Sequence, residues 1–182
     1  DTSTNDTLAI MASGLAGNAE ITEKNEDYQT FVKVLTDAFK KVAKKLAADG
    51  EGATKLLICK VSGAKDEQDA KTIAKSIICS SLVKAAMFGA DANCGRILCA
   101  VGYSGAEVDV HKIDVSYKSA KGDILVCKDG NGLAFDEDKA KEILLEKEIE
   151  IIVSLGDGNG SAEAYGCDLT YDYVKINGDY RT

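Results

Sequence analysis

Between residues 25 and 48 apolar side chains recur at helical intervals. Tyr28, Val32, Leu35, Phe39, Val42 and Leu46 are spaced by 4, 3, 4, 3 and 4, which draws one stripe along a helix of 3.6 residues per turn. Asn25 suits the N-cap, Glu26 and Asp27 suit the first turn, and Gly50 is expected as the left-handed stop. The pattern then shortens. Residues 55–61 form an apolar run fit for a strand buried on both faces, and residues 66–88 return to helical spacing, with a break expected near Ser80 and Ser81.

Shorter apolar runs predict the remaining elements. Residues 7–11 and 96–101 read as short strands, 108–117 as a half-exposed strand carrying His111, and 124–127 as a strand leading into the Asp129-Gly130-Asn131-Gly132 turn. A charged helix follows over 136–146. Strands at 149–155 and 162–176 are expected to pair as a hairpin through the glycines of 156–160. In the last segment Leu169, Tyr171 and Tyr173 alternate with Thr170, Asp172, Val174 and Ile176, ahead of an Asn177-Gly178 turn. Helices and strands alternate first and strands dominate later, which predicts a single α/β or α+β domain over 1–182 with a mixed sheet layered between helices.

Composition narrows the function. The 182 residues are 45% hydrophobic and 29% charged, in the range of a globular domain. A net charge of −8 argues against a surface that tracks nucleic-acid phosphates. The lysines at 40, 41, 44 and 45 lie among acids on the long helical segment and read as a solvated face. No apolar run reaches the roughly 20 residues of a membrane helix. The six cysteines contain no C-x-x-C pair and read as reduced thiols, mostly buried, and this cysteine usage leads to the expectation of a cytoplasmic location.

The single histidine excludes a two-histidine metal site and leaves a Ser-His-Asp triad only His111 to be built on. Neither Asp-Gly-Asn-Gly loop fits a calcium loop. Counting from Asp157, position 6 is Ala162 and position 12 is Asp168; from Asp129 they are Ala134 and Ala140. No metal is expected. The stretch DGEGATK (49–55) lacks phosphate-loop spacing, and it runs from a helix into a strand, so the helix end facing it is the negative one. Glu51 then remains as a glycine-flanked acid, either a solvated side chain or a carboxylate that holds or deprotonates an amine. Asp1 stands ahead of Thr2, so Thr2 is not expected to act as an N-terminal nucleophile. Cys94, with no histidine nearby in sequence, reads as structural.

Taken together, DTSTNDT, DGEGATK, SLVKAAMFGADANCGRI and the closing GCDLTYDYVKINGDYRT, in that order along the chain, resemble the ornithine acetyltransferase (glutamate N-acetyltransferase) family of arginine biosynthesis. The resemblance runs the length of the chain and matches the C-terminal part of the family's β chain. It implies a fold of mixed sheets layered between helices and a precursor that cuts itself before a threonine. That threonine takes the acetyl group of N2-acetyl-L-ornithine and passes it to L-glutamate by ping-pong transfer, with an oxyanion hole from the α chain. Some members also accept acetyl-CoA as donor; no cofactor is implied. The expected partners are the N-terminal α chain and the start of the β chain, in an α2β2 assembly.

Carried over by position, the resemblance implies substrate contacts at Glu51, Asn177 and Thr182. The nucleophilic threonine and the oxyanion hole are expected to lie outside this chain, so alone it is expected to be inactive. Where the family has Asp-Pro-Asn-Trp, this sequence has Asp91-Ala92-Asn93-Cys94, and losing the tryptophan alters packing there. Two alternatives stay open: an N-terminal-nucleophile amidase or aminopeptidase of related architecture, and a non-catalytic assembly domain.

Overall fold

The computed structural model describes residues 7–179. Its first helix, α1 (Glu26–Ala48), begins where the sequence places it, with the Asn25 side chain accepting from the Tyr28 N–H. Strand β1 (Leu56–Ala64) follows, then α2 (Glu67–Cys79) and α3 (Ser81–Phe88), which divide at Ser80 as expected. Next come α4 (Cys94–Gly102), a 3-10 turn at Val110–Lys112, β2 (Asp114–Ser119), β3 (Gly122–Lys128) and the two-residue β4 (Asn131–Gly132). Helix α5 (Glu137–Leu144), β5 (Glu148–Ser154), β6 (Gly160–Cys167) and α6 (Tyr171–Asp179) complete the order.

The six strands form one mixed sheet in the order β4-β3-β2-β5-β1-β6, in which β1 and β5 run parallel and the other neighbours antiparallel. Leu57, Cys59 and Val61 alternate with their neighbours onto one face, beside Ile149, Ile151 and Val153 of β5 and Val115 and Tyr117 of β2. Helices α2 to α5 cover that face, adding Ile73, Ile77, Met87, Ile97 and Ile143 to one continuous core. The opposite face carries the Lys60–Glu150 ion pair at 2.5 Å. There α1 lies across the β1–β6 side, with the Lys44 ammonium 5.5 Å from the centre of the Tyr165 ring. Helices therefore lie on both faces of a mixed sheet, the layered α/β class the sequence predicts.

Several local expectations fail for identifiable reasons. Residues 7–11 are exposed and pair with no strand, although they are apolar. The run at 96–101 is helix, not strand: Asn93 caps it through Arg96 N at 3.1 Å, and its buried residues Ile97, Ala100 and Val101 fall at i, i+3 and i+4. So short an apolar run does not separate strand from helix. His111 lies in the 3-10 turn, capped by Asp109, and only the second half of 108–117 is strand. Gly50 is not the left-handed stop. The helix is capped at Asp49, and Gly50 is small because a Cβ there would stand 2.8 Å from Cys167 Sγ.

The largest correction concerns the last third. β5 and β6 are not a hairpin, because β1 lies between them. Their connection steps across the end of β1, where Gly63 O accepts from Asp157 N at 2.7 Å and Gly158 N at 2.9 Å. Crossing one strand takes about 10 Å, within reach of five residues. β6 stops at Cys167, and the alternating segment beyond it turns from Tyr171 onward, Asn177-Gly178 included, into the helix α6.

Candidate functional site at the start of α6

The loop that carries Glu51 joins the end of α1 to the buried start of β1. Gly50 O accepts from Ala53 N at 2.9 Å, closing a tight turn. Gly52 sits at φ +68°, and a Cβ there would stand 2.6 Å from Tyr173 N and 2.9 Å from the Asp172 carbonyl carbon. Only glycine meets both demands, the left-handed conformation and the close backbone approach. The Glu51 loop is thus pressed directly onto the first turn of α6.

Two side chains from the 168–170 stretch hold it there. Asp168, 1% exposed, accepts through Oδ1 from Thr54 N at 2.8 Å and Lys55 N at 3.0 Å, and through Oδ2 from the Thr54 hydroxyl. Its own N–H donates to Lys55 O at 3.3 Å. The Thr170 hydroxyl donates to Gly52 O at 2.6 Å and accepts from Tyr173 N at 3.0 Å, so one oxygen caps α6 and ties it to the loop. A buried carboxylate with three donors is well compensated for leaving water.

Lys55 extends the network inward. Its ammonium donates to Met87 O at 2.5 Å and Phe88 O at 3.4 Å, carbonyls of the last turn of α3. Burial pulls this ammonium below the ordinary lysine range, and the Asp168 carboxylate opposes the shift. The Phe88 and Tyr171 rings meet edge-on at 5.5 Å, and the Lys84 ammonium lies 5.9 Å from the Tyr173 ring centre. Helices α3 and α6, the Glu51 loop and β1 are thereby fixed to one another.

On this base Glu51 is exposed and makes no hydrogen bond or ion pair among the described residues. Asn177 is also exposed, on α6, with its amide Nδ2 donating to Tyr173 O at 2.9 Å. The structure therefore brings the elements carrying Glu51 and Asn177 together, while Thr182 lies outside the described residues. The depressions lined by Lys118, Ser119 and Glu148 and by Lys65, Val108 and Asp157 contain neither residue. Glu51 shares its loop with the C-terminal end of α1, whose negative partial charge adds to the carboxylate in favouring a cation such as an ammonium.

The other candidates stand apart from this edge. His111 is exposed, its N–H donating to Asp109 Oδ1 at 3.1 Å. Cys94 opens α4, half-buried, with Sγ 3.5 Å from where a Cβ on Gly132 would stand. All six cysteines are free thiols: Cys59, Cys127 and Cys167 are buried, while Cys79 and Cys99 are exposed. No three His, Cys, Asp or Glu side chains gather as a metal set among the described residues, and no helix among them is long and apolar enough to cross a membrane.

The ArgJ family pattern matches residues 1–182 of the sequence. The chain belongs to the ArgJ family. Among ArgJ proteins, it is 56% identical over 182 residues to the arginine biosynthesis bifunctional protein ArgJ of Caldanaerobacter subterraneus subsp. tengcongensis, covering 100% of this chain and 45% of that protein. It is 47% identical to the ArgJ of Thermotoga neapolitana, again over 100% of this chain, and covers 46% of that relative. A crystal structure of the argJ protein from Bacillus halodurans superposes with a TM-score of 0.89 at 48% identity, over 99% of this chain and 83% of the crystallised one. The chain thus spans about half the length of the curated ArgJ relatives it matches.

Asp168, Thr170 and Lys55 were not among the sequence-derived candidates. Thr170 with Tyr173 three residues later has the spacing of an N-cap, a signal hidden while 162–176 is read as strand. A lysine opening the apolar run LLIC is the corresponding hint for Lys55.

Proposed function

We propose that this chain is the C-terminal part of the β chain of an enzyme that moves the acetyl group of N2-acetyl-L-ornithine to L-glutamate in arginine biosynthesis. The observation that carries this reading is Glu51: an exposed carboxylate, unpaired among the described residues, on a loop immobilised from beneath, in a chain matched throughout by the ArgJ family. Fixed placement of a charge before the substrate arrives removes reorganisation from the reaction. Here the carboxylate holds, or takes a proton from, the amine of the amino-acid substrate, while Asn177 and Thr182 hydrogen-bond its polar ends.

The remaining parts come from outside this chain. A threonine exposed by self-cleavage of the precursor attacks the acetyl carbonyl, ornithine leaves as its free amine, and the glutamate amine then attacks the acyl-threonine ester and regenerates the hydroxyl. The α chain supplies the oxyanion hole, in an α2β2 assembly located in the cytoplasm. Acetyl-CoA serves as a further acetyl donor, and the transfer takes no metal or bound cofactor.

The test uses the full-length protein with N2-acetylornithine and glutamate, separating acetylglutamate from free acetate. Acetylglutamate is the expected product, and Glu51→Gln is expected to slow its formation at least about tenfold, a loss of roughly 1.4 kcal/mol of transition-state stabilisation. Release of free acetate instead would replace transfer by amide hydrolysis. An unchanged rate in Glu51→Gln would leave this chain an assembly role only.

A further inference from the structure

We infer that Asp168 and Thr170 are positioning residues that set the substrate-facing carboxylate of Glu51 in register with α6. The inference rests on the role proposed for Glu51 and adds the device that aims it. Glu51 lies between Gly50 and Gly52, the least restrained backbone a chain can offer. Left to itself, such a loop would spread its one acid over many directions. The two latches remove that freedom from one side. Asp168 gathers both N–H groups and the hydroxyl of Thr54-Lys55, and the Thr170 hydroxyl takes the carbonyl of Gly52, the residue next to Glu51.

The second consequence is coupling to Asn177. Because the Thr170 oxygen also accepts from Tyr173 N, any movement of the Gly52 carbonyl is passed to the first turn of α6. Asn177 is on the same helix, its amide bonded to Tyr173 O. Glu51 and Asn177 thus ride on one hydrogen-bonded unit, although neither touches Asp168 or Thr170 in any hydrogen bond among the described residues. Gly52 closes the unit, since a Cβ there would meet the backbone of Asp172 and Tyr173 below 3.0 Å.

The decisive experiment is a set of double-mutant cycles in the full-length protein, read as kcat and KM for acetyl transfer between N2-acetylornithine and glutamate. Thr170→Val keeps the shape of the side chain and removes the hydroxyl; it is expected to lower kcat at least about tenfold, with KM changed less than about threefold. Thr170→Ser restores the hydroxyl and is expected to stay within about threefold of the parent. Asp168→Asn is expected to resemble Thr170→Val; if it does not fold, the two Thr170 variants carry the test. In a Glu51→Gln background both losses are expected to shrink clearly, because the main group being aimed is already gone and only the share passed on to Asn177 is left.

Normal kcat in a folded Thr170→Val protein would overturn the inference. So would an equal loss with and without Glu51, the signature of a merely structural role. If Glu51→Gln alone matches the parent, the proposed role of Glu51 fails, and its positioning fails with it. That outcome is separable, because it appears in a single variant that leaves both latches untouched.

Discussion

Helix α2 spans 13 residues and buries Ala70, Ile73, Ala74, Ile77 and Ile78 between the sheet and α4, whereas α1 spans 23 residues and buries none. Both have well-formed N-caps, acids in the first turn and an apolar stripe. The difference is cover. Only Tyr28, Leu35, Phe39 and Val42 of the α1 stripe are half-buried, and Val32 and Leu46 stay 39% and 40% exposed. Phe31 and Val34, beside the stripe, are more open still. A helix this amphipathic owes most of its stability in a folded protein to packing of its apolar face. A stripe shows which face calls for burial; it does not show which part of a protein supplies the cover.

The sharpest way to break this contrast is at the centre of α2. Ile77→Ala is expected to cost about 2–5 kcal/mol in the full-length protein, by denaturant unfolding, because a fully buried side chain leaves a cavity. A cost below about 1 kcal/mol would mean that the α2 face is as loosely covered as that of α1. On α1 the outcome depends on length. Phe39→Ser is expected to destabilise the full-length protein by about 1–3 kcal/mol and the 182-residue chain by less than about 1. Equal, small effects in both would show that the α1 stripe stays open even in the longer protein.

The smallest effect sets the background for both helices. Asp157 accepts from the Lys112 ammonium at 2.9 Å and from Asp109 N at 3.1 Å, and these partners hold its carboxyl below the ordinary aspartate range. Folding then gains from the pair above the unfolded-state value, and the gain disappears as pH falls below about 4 and through the native value. Asp157→Asn is expected to flatten that part of the stability–pH curve slightly, with little change at neutral pH. A loss at neutral pH as large as that of Ile77→Ala would overturn the ranking.

What could be read without coordinates divides along physical lines. α1 and the break at Ser80 are set by a period of 3.6 over long windows and by caps adjacent in sequence, and both are found as expected; α5 lies within its charged segment, and β1 follows its apolar run and continues to Ala64. The apolar run of α4 is too short for its period to register, and the 169–176 alternation is overruled by a cap at Thr170 that becomes visible only with Tyr173 and Gly52 in place. Glu51 stands out in the sequence as a glycine-flanked acid to which the resemblance adds a substrate contact, Asn177 comes from the resemblance alone, and the structure puts their elements in contact. Asp168 escaped because its three donors come from Thr54 and Lys55, distant in sequence, and no local pattern records such a contact.

That distance has a consequence for the order of assembly during synthesis. β1 is flanked by β5 and β6, which begin at Glu148 and Gly160, and Thr54 N waits for a carboxylate 114 positions later. As the chain leaves the ribosome, β1 has neither neighbour until β5 and β6 have emerged, and the glycine-flanked turn has no anchor until Asp168 follows them. Long-range closures of this kind form slowly, and an unpaired apolar strand is open to association with other chains. The Glu51 loop is therefore translated well before Asp168 and Thr170, the residues that make it rigid.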